Sequence, residues 1–180
     1  MDETNKKLII TGKNNIHKIT EILNNEKVKA IRNKMGDLND DLLLAAKQVD
    51  MINNMYINED NNTNKYKVLL KQELEKKING YKQQDINKDI YNPQLLITLD
   101  ALVEKIVISK LKCFYCMKSL YLLYKNVREP NQWTLDRKDN DKCHSIANTV
   151  VCCLKCNLDR RVKNMDKFIF TKKLRIKKEI

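Results

Sequence analysis

The N-terminal half of the chain carries apolar residues at the three- and four-residue steps of amphipathic helices. One such face comprises Leu42, Ala45, Val49, Ile52 and Tyr56. The same spacing predicts a helix over residues 65–79, which Gly80 would end. A further helix is predicted to begin at Pro93, since proline suits the first helical turn.

Two other segments of this half are less regular. Residues 16–31 predict a helix that Gly36 would close, and the wholly polar run at residues 58–64 predicts a loop. The pattern therefore predicts a mostly helical accessory region over residues 1–92 and a helix within residues 93–112 that leads into the region beginning at residue 113.

The pattern changes at residue 113. Short runs rich in β-branched and aromatic residues predict strands at residues 120–124, 132–135 and 148–152. The polar stretch 137–147 predicts a long loop, and residues 154–164 predict a basic helix. The predicted fold class is α+β, a helical N-terminal region followed by a small ββα module. This module spans residues 113–165, and residues 166–180 form a basic tail.

The cysteines point to a metal site in this module. All six lie between residues 113 and 156, and four form two C-x-x-C pairs, Cys113 with Cys116 and Cys153 with Cys156. Four thiolates in two such knuckles make a closed tetrahedral Zn²⁺ site that is structural rather than catalytic. Cys143 and Cys152 are then left as ordinary thiols. The absence of a signal-like segment favours a reducing, intracellular compartment, where paired cysteines are more often ligands than disulfides.

The charge of the chain is concentrated near its end. Residues 158–180 hold nine Lys or Arg and three Asp or Glu, and so carry half of the net charge of +12. A basic surface beside a metal site favours a polyanionic partner such as nucleic acid, although a merely solvated surface is the alternative. Arg160, Arg161 and Lys163 on the predicted basic helix are candidate phosphate contacts. No apolar stretch is long enough to span a membrane.

Hard oxygen ligands accompany the soft cysteines. Leu135-Asp136-Arg137 precedes the loop, and Asn148 and Asn157 follow it, the latter directly after Cys156. With the two knuckles, this combination resembles the HNH endonuclease motif on a zinc-containing ββα-metal (treble-clef) fold. The segments 132–137 and 168–174 are also similar to HNH-like proteins of large cytoplasmic DNA viruses. The resemblance covers less than a third of the chain.

The resemblance implies a role for each matching residue. Asp136 and Asn157 would bind a catalytic Mg²⁺ or Mn²⁺, and Asn148 would organise the loop. The general base of the family, a His directly after the acid, is replaced by Arg137, which cannot accept a proton at neutral pH. Arg137 would then contact phosphate, while His144, a nearby tyrosine or metal-bound hydroxide replaces the base.

Three functions follow from these residues. The first is a metal-dependent HNH-type endonuclease that hydrolyses DNA, with the helical region as an accessory domain. The second is a catalytically inactive zinc-finger protein that binds DNA or a viral replication or transcription assembly. In the third, the N-terminal helices are a protein-interaction module with a zinc-stapled tail. Neither a membrane nor a small-molecule substrate is expected, and the oligomeric state is left open. A viral protein would act in the host cytoplasm or nucleus.

Overall fold

The computed structural model describes residues 30–32, 35, 38–57 and 65–174. The chain divides into two compact units, Met1–Ala30 and Ile31–Ile180, and the described helices and strands belong to the second. Apart from its last two residues, the helix predicted at 16–31 lies outside the described residues, as do Gly36 and the loop predicted at 58–64.

The described part of the chain is a mixture of helices and one small antiparallel sheet. A short 3-10 helix at Asp40–Leu43 is followed by α1 (Ala45–Tyr56), α2 (Lys65–Ile86), α3 (Leu99–Ile108), β1 (Trp133–Arg137), β2 (Thr149–Cys153), α4 (Leu154–Arg160) and α5 (Met165–Lys173). The two strands pair with Trp133 opposite Cys153 and Arg137 opposite Thr149. The predicted α+β class is confirmed. No helix among the described residues is both long and apolar enough to cross a membrane.

Helix α2 runs past the predicted stop at Gly80 and ends at Ile86. Leu74, Tyr81 and Asp85 lie on one buried face, each at most 7% exposed. A glycine inside a helix costs only about 1 kcal/mol relative to alanine. Burial of the residues on both sides of Gly80 outweighs that cost, so the prediction of a helix end was wrong.

The helix predicted from Pro93 begins later. Pro93 lies in a turn, and α3 begins at Leu99 because the Thr98 side chain accepts a hydrogen bond from Ala101 N and so caps the helix. Just before this cap, the backbone does not continue the helix, because Ile97 N donates a hydrogen bond to His144 O at 2.9 Å. This contact ties the start of α3 to the loop between β1 and β2.

The run at residues 120–124 does not form the predicted strand. Its backbone groups bond to the Gln48 side chain and to Asn131 instead of to one neighbouring strand, which prevents a regular ladder. Leu122 N and Leu123 N donate to the buried side-chain oxygen of Gln48 on α1, and Leu123 O accepts from the Gln48 amide nitrogen. Tyr121 N donates to Asn131 O. Gln48 thus fastens α1 to the cysteine-containing module at residues 113–165.

The basic helix predicted over residues 154–164 is shorter than expected, and a second helix follows it. α4 ends at Arg160 because Arg161 adopts φ 52° and ψ −116°, outside the helical region. The side chain of Asn164 then caps α5 by accepting from Asp166 N and Lys167 N. Residues 166–173 of the predicted tail are therefore helical.

One hydrophobic core joins the helices to this cysteine-containing module. It includes Ile52 of α1, Leu74 of α2, Ile106 of α3, and Trp133 and Leu135 of β1, none more than 1% exposed. Strand β1 lies between two helices. On one side, Tyr81 and Asp85 of α2 bond Leu135 and Arg137, respectively. On the other side, Asn157 and Arg160 of α4 bond Thr134 and Asp136, respectively. This arrangement positions the candidate site.

Candidate functional site

Four cysteines from the two predicted knuckles form one cluster. The sulfur atoms of Cys113, Cys116, Cys153 and Cys156 all lie within 4.8 Å of one another. The Sγ atoms of Cys116 and Cys153 are 3.9 Å apart, close to the roughly 3.8 Å that a tetrahedral site with Zn–S bonds of about 2.3 Å requires. The cluster can therefore hold a metal ion such as zinc.

The local structure prepares this cluster for a cation. Cys153 caps α4, and its Sγ accepts from Cys156 N at 3.3 Å. The hydrogen bond between the Cys113 and Cys153 sulfur atoms lowers the pKa of Cys113 and raises the pKa of Cys153, while burial raises the pKa of Cys156. A thiolate is the form that binds metal. Cys143 and Cys152 lie outside the cluster, as predicted.

Asp136, the predicted cation ligand, is 4% exposed and fully engaged. Its Oδ2 accepts from the Tyr115 hydroxyl at 2.5 Å, and its Oδ1 accepts from Arg160 Nη1 at 2.7 Å. Burial raises the pKa of Asp136, while these two donors oppose the rise. Burial and the bond to Asp136 also raise the pKa of Tyr115, which keeps that hydroxyl a donor.

Arg160 completes this closed cluster. It is 1% exposed, and its guanidinium also donates to Arg137 O at 2.7 Å and Lys138 O at 2.9 Å. A buried guanidinium that is bonded in this way is not available to phosphate. The prediction that Arg160 contacts nucleic acid is therefore corrected, whereas Arg161 and Lys163 are exposed as expected.

Arg137 points to the opposite face of β1, as strand alternation requires. It is 7% exposed, and its Nη1 donates to Asp85 Oδ1 at 3.3 Å. This buried ion pair occupies the side chain that the sequence assigned to phosphate. Asp85, at the end of α2, is completely buried.

Asp85 also positions His144. Its Oδ1 lies 2.7 Å from His144 Nδ1, and its Oδ2 accepts from His144 N at 2.7 Å. The ring of Tyr81 stacks on His144 with 4.6 Å between centroids. Since a carboxylate accepts, Nδ1 carries the proton and Nε2 is left with its lone pair. Burial lowers the pKa of His144, an effect that Asp85 opposes, and this favours the neutral imidazole.

His144, Arg137 and Asp136 line a cleft of about 400 Å³ along the free edge of β1. Its walls come from α2, α4, β1 and the loop, and its lining includes Tyr81, Gln84, Lys88, Asp136, Arg137, Asn140, His144, Asn157, Arg161 and Val162. The cleft therefore brings together four of the five predicted catalytic residues. Because α2 lies within the predicted accessory region, part of that region belongs to the site.

The fifth predicted residue, Asn148, lies at the base of the loop. Its amide nitrogen donates to Asp139 O, Lys142 O and Cys143 O at 2.9–3.2 Å, and its Oδ1 accepts from Asp139 N at 3.0 Å. Asn148 therefore bonds to three carbonyls and one amide of the loop. These bonds tie residues 139–143 of the loop to the start of β2.

Asn157 is half-buried at the cleft. Its amide nitrogen donates to Thr134 Oγ1 and Leu135 O, both at 3.2 Å, so its oxygen is left as an acceptor. One amide oxygen beside an already bonded Asp136 is a poor donor set for Mg²⁺, which binds through free carboxylates and water. Among the described residues, only the four cysteines form a group of three or more side chains suited to a metal.

Sequence reasoning did not identify Asp85, Tyr81 or Tyr115 as site residues. Asp85 lies 59 positions from His144, and Tyr81 lies 54 from Leu135. No motif spacing connects such distant residues. The one available signal was an acidic residue at the end of an otherwise amphipathic helical face, four residues after a tyrosine.

Comparison with known proteins adds no relative: no family model, no curated protein and no solved structure matches the chain. The resemblance to HNH endonucleases therefore depends on the motif residues alone.

Proposed function

We propose that this protein is an HNH-like endonuclease that hydrolyses phosphodiester bonds of DNA, with His144 as the general base. The observation that carries the proposal is the Asp85–His144 pair at the cleft, with Nδ1 bonded to the carboxylate and Nε2 free to accept a proton. Buried, carboxylate-oriented histidines of this kind are frequent in catalysis.

The proposed step uses residues of the cleft. His144 Nε2 takes a proton from water as the water oxygen bonds to phosphorus, and the P–O ester bond breaks. The departing oxygen takes a proton from solvent. Exposed Arg161 and Lys88 at the cleft attract the phosphate. Asp136 and Asn157 do not offer a preformed cation site, so no step is assigned to Mg²⁺ or Mn²⁺.

The proposal includes a structural zinc ion in the four-cysteine cluster and a reducing intracellular compartment. Thiols must stay reduced to bind the ion. A compartment of this kind fits a protein similar to the HNH-like proteins of large DNA viruses, acting in the host cytoplasm or nucleus.

The alternative is a DNA-binding module without catalysis. It is favoured by the engagement of both Asp136 oxygens with Tyr115 and Arg160, which leaves no free carboxylate beside Asn157 for a cation. On this reading Asp85, Arg137 and His144 stabilise the loop, and the exposed cations supply a salt-sensitive affinity.

The test is nicking of supercoiled plasmid by zinc-loaded protein, with and without magnesium or manganese. His144→Ala should lower the nicking rate by about 10²- to 10⁴-fold, the usual contribution of a positioned base. Ile146→Ala, in the same loop and 54% exposed, is the matched control and should cleave normally. Zinc content and circular dichroism establish that both variants fold. Wild-type protein that shifts DNA in a salt-dependent manner but never nicks it refutes hydrolysis and supports the alternative.

A further inference from the structure

The turn between α4 and α5 exposes an apolar side chain at the mouth of the cleft. Val162 is 86% exposed, the highest exposure of any large apolar side chain among the described residues, and it lines the cleft that holds His144. A single exposed valine is ordinary on a protein surface. What is unusual is that Val162 lies between two cationic residues and beside the candidate active site.

The backbone of this turn is held in an unfavourable conformation. Arg161 has φ 52° and ψ −116°, a region that costs a side-chain-bearing residue about 1–3 kcal/mol. Hydrogen bonds on both sides enforce it, from Arg161 N to Asn157 O at 3.1 Å and from Lys163 N to Arg160 O at 2.9 Å. The effect is to end α4 abruptly and direct Val162 outward.

The flanking charges identify the kind of partner. Arg161 and Lys163 are exposed, and neither makes an ion pair among the described residues. Arg161 lines both the cleft and a second groove of about 500 Å³ between α4 and α5, where Lys163 is unpaired among the described residues and Lys172 is paired with Asp159 at 3.0 Å. Arg161 and Lys163 flank Val162 in the sequence, so a polyanion bound by these two cations would lie close to Val162.

We propose that Arg161, Val162 and Lys163 form a wedge that selects nucleic acid with separated bases. Val162 packs against the face of an unstacked base, while Arg161 and Lys163 bind the phosphates on either side. Apolar side chains act in this way when they open a base step, and opening is least costly where bases are already unpaired. The inference rests on the nucleic-acid binding in the proposed function and adds a substrate preference, for bulged or branched over regular duplex.

The test is binding measured by fluorescence anisotropy, with zinc-loaded protein and no added magnesium. The probes are a short duplex and the same duplex carrying a bulge of unpaired nucleotides. We expect wild-type protein to prefer the bulged probe about tenfold, and Val162→Ala to lose most of that preference while its duplex affinity is unchanged. Ile108→Ala, 72% exposed on α3, is the matched control and should keep the preference.

A paired change separates the cations from the wedge. Arg161→Ala with Lys163→Ala should weaken binding to both probes alike and reduce the salt dependence by about two released counterions. Equal affinity of wild-type protein for the two probes, or a preference that survives Val162→Ala, overturns the wedge. The anisotropy assay measures binding and not cleavage, so it tests the wedge separately from hydrolysis. If the protein prefers the bulged probe but does not nick plasmid, the wedge is supported and only the hydrolysis proposal is refuted.

Discussion

Two buried polar clusters lie on opposite faces of β1, and they differ in what they leave unsatisfied. On the α4 face, Asp136 uses both oxygens, one for Tyr115 and one for Arg160. On the α2 face, Asp85 accepts from Arg137 and from His144. The first cluster leaves neither Asp136 oxygen free, whereas the second leaves His144 Nε2 with a lone pair beside a cleft.

The difference teaches how adjacent charged residues can have unrelated roles. Asp136 and Arg137 are neighbours in sequence, but strand alternation gives them different partners. A carboxylate with both oxygens bonded stabilises the module, and only a group with a free lone pair can accept a proton. The chemistry is therefore expected on the α2 face, and the α4 face is expected to be structural.

The largest expected effect is on stability, from Asp136→Ala. This change leaves Arg160, 1% exposed, without its counter-charge and Tyr115 without an acceptor. Breaking one partner of a buried pair costs about 3–5 kcal/mol of unfolding free energy. Urea denaturation of the zinc-loaded protein measures it.

Two further variants sharpen this test of the closed cluster. Arg160→Met in the Asp136→Ala background removes the unpaired charge and should recover part of the loss. Asp159→Ala is the control, since its ion pair with Lys172 is partly exposed and contributes about 0–1 kcal/mol. If Asp136→Ala lowers the unfolding free energy by less than about 1 kcal/mol, the closed cluster is contradicted. The Asp136 carboxylate would then be free to bind a cation.

The next effect is on catalysis, from Asp85→Asn. We expect plasmid nicking to fall by about 10- to 100-fold, as when a functional histidine loses the partner that orients it. The Asp85 carboxylate raises the pKa of His144 against the lowering by burial. Its removal should therefore move the acid limb of the rate–pH profile to lower pH.

The pH profile distinguishes positioning from a general loss of structure. A merely structural role for Asp85 would lower the rate without moving the limb. Asp100→Asn, an exposed acid on α3, should change neither the rate nor the limb. An unmoved limb in Asp85→Asn would contradict the proposed action of Asp85 on a titrating His144.

The four-cysteine cluster and the hydrogen bonds of Asn148 to the loop were accessible to sequence reasoning because their residues are close together and their chemistry depends on spacing. Cys113 and Cys116, like Cys153 and Cys156, form knuckles of fixed length, and Asn148 bonds within nine residues of itself. The strands near residues 132–135 and 148–152 were also predicted to within two residues.

The rest depends on tertiary contacts that no local pattern encodes. Asp85 reaches His144 only because α2 continues past Gly80, and the core that carries it there includes Leu74 and Trp133. The burial of Arg160 likewise follows from Asp136 lying on the α4 face. Basic residues on a predicted helix look alike in sequence, so Arg160 could not be separated from Arg161.

The smallest expected effect is the pH dependence of stability that His144 contributes. Burial lowers the pKa of His144 below the ordinary 6.5, so the unfolded chain binds a proton before the folded protein does. Stability should therefore fall as pH drops below 6.5 and stop falling once the folded-state pKa is passed. Denaturation of wild-type protein and His144→Gln over this range isolates the contribution, because other titrating groups cancel in the difference. A stability advantage of wild-type protein over His144→Gln that shrinks as pH rises would mean that His144 is charged in the fold, and the α2 cluster would then be as closed as the α4 cluster.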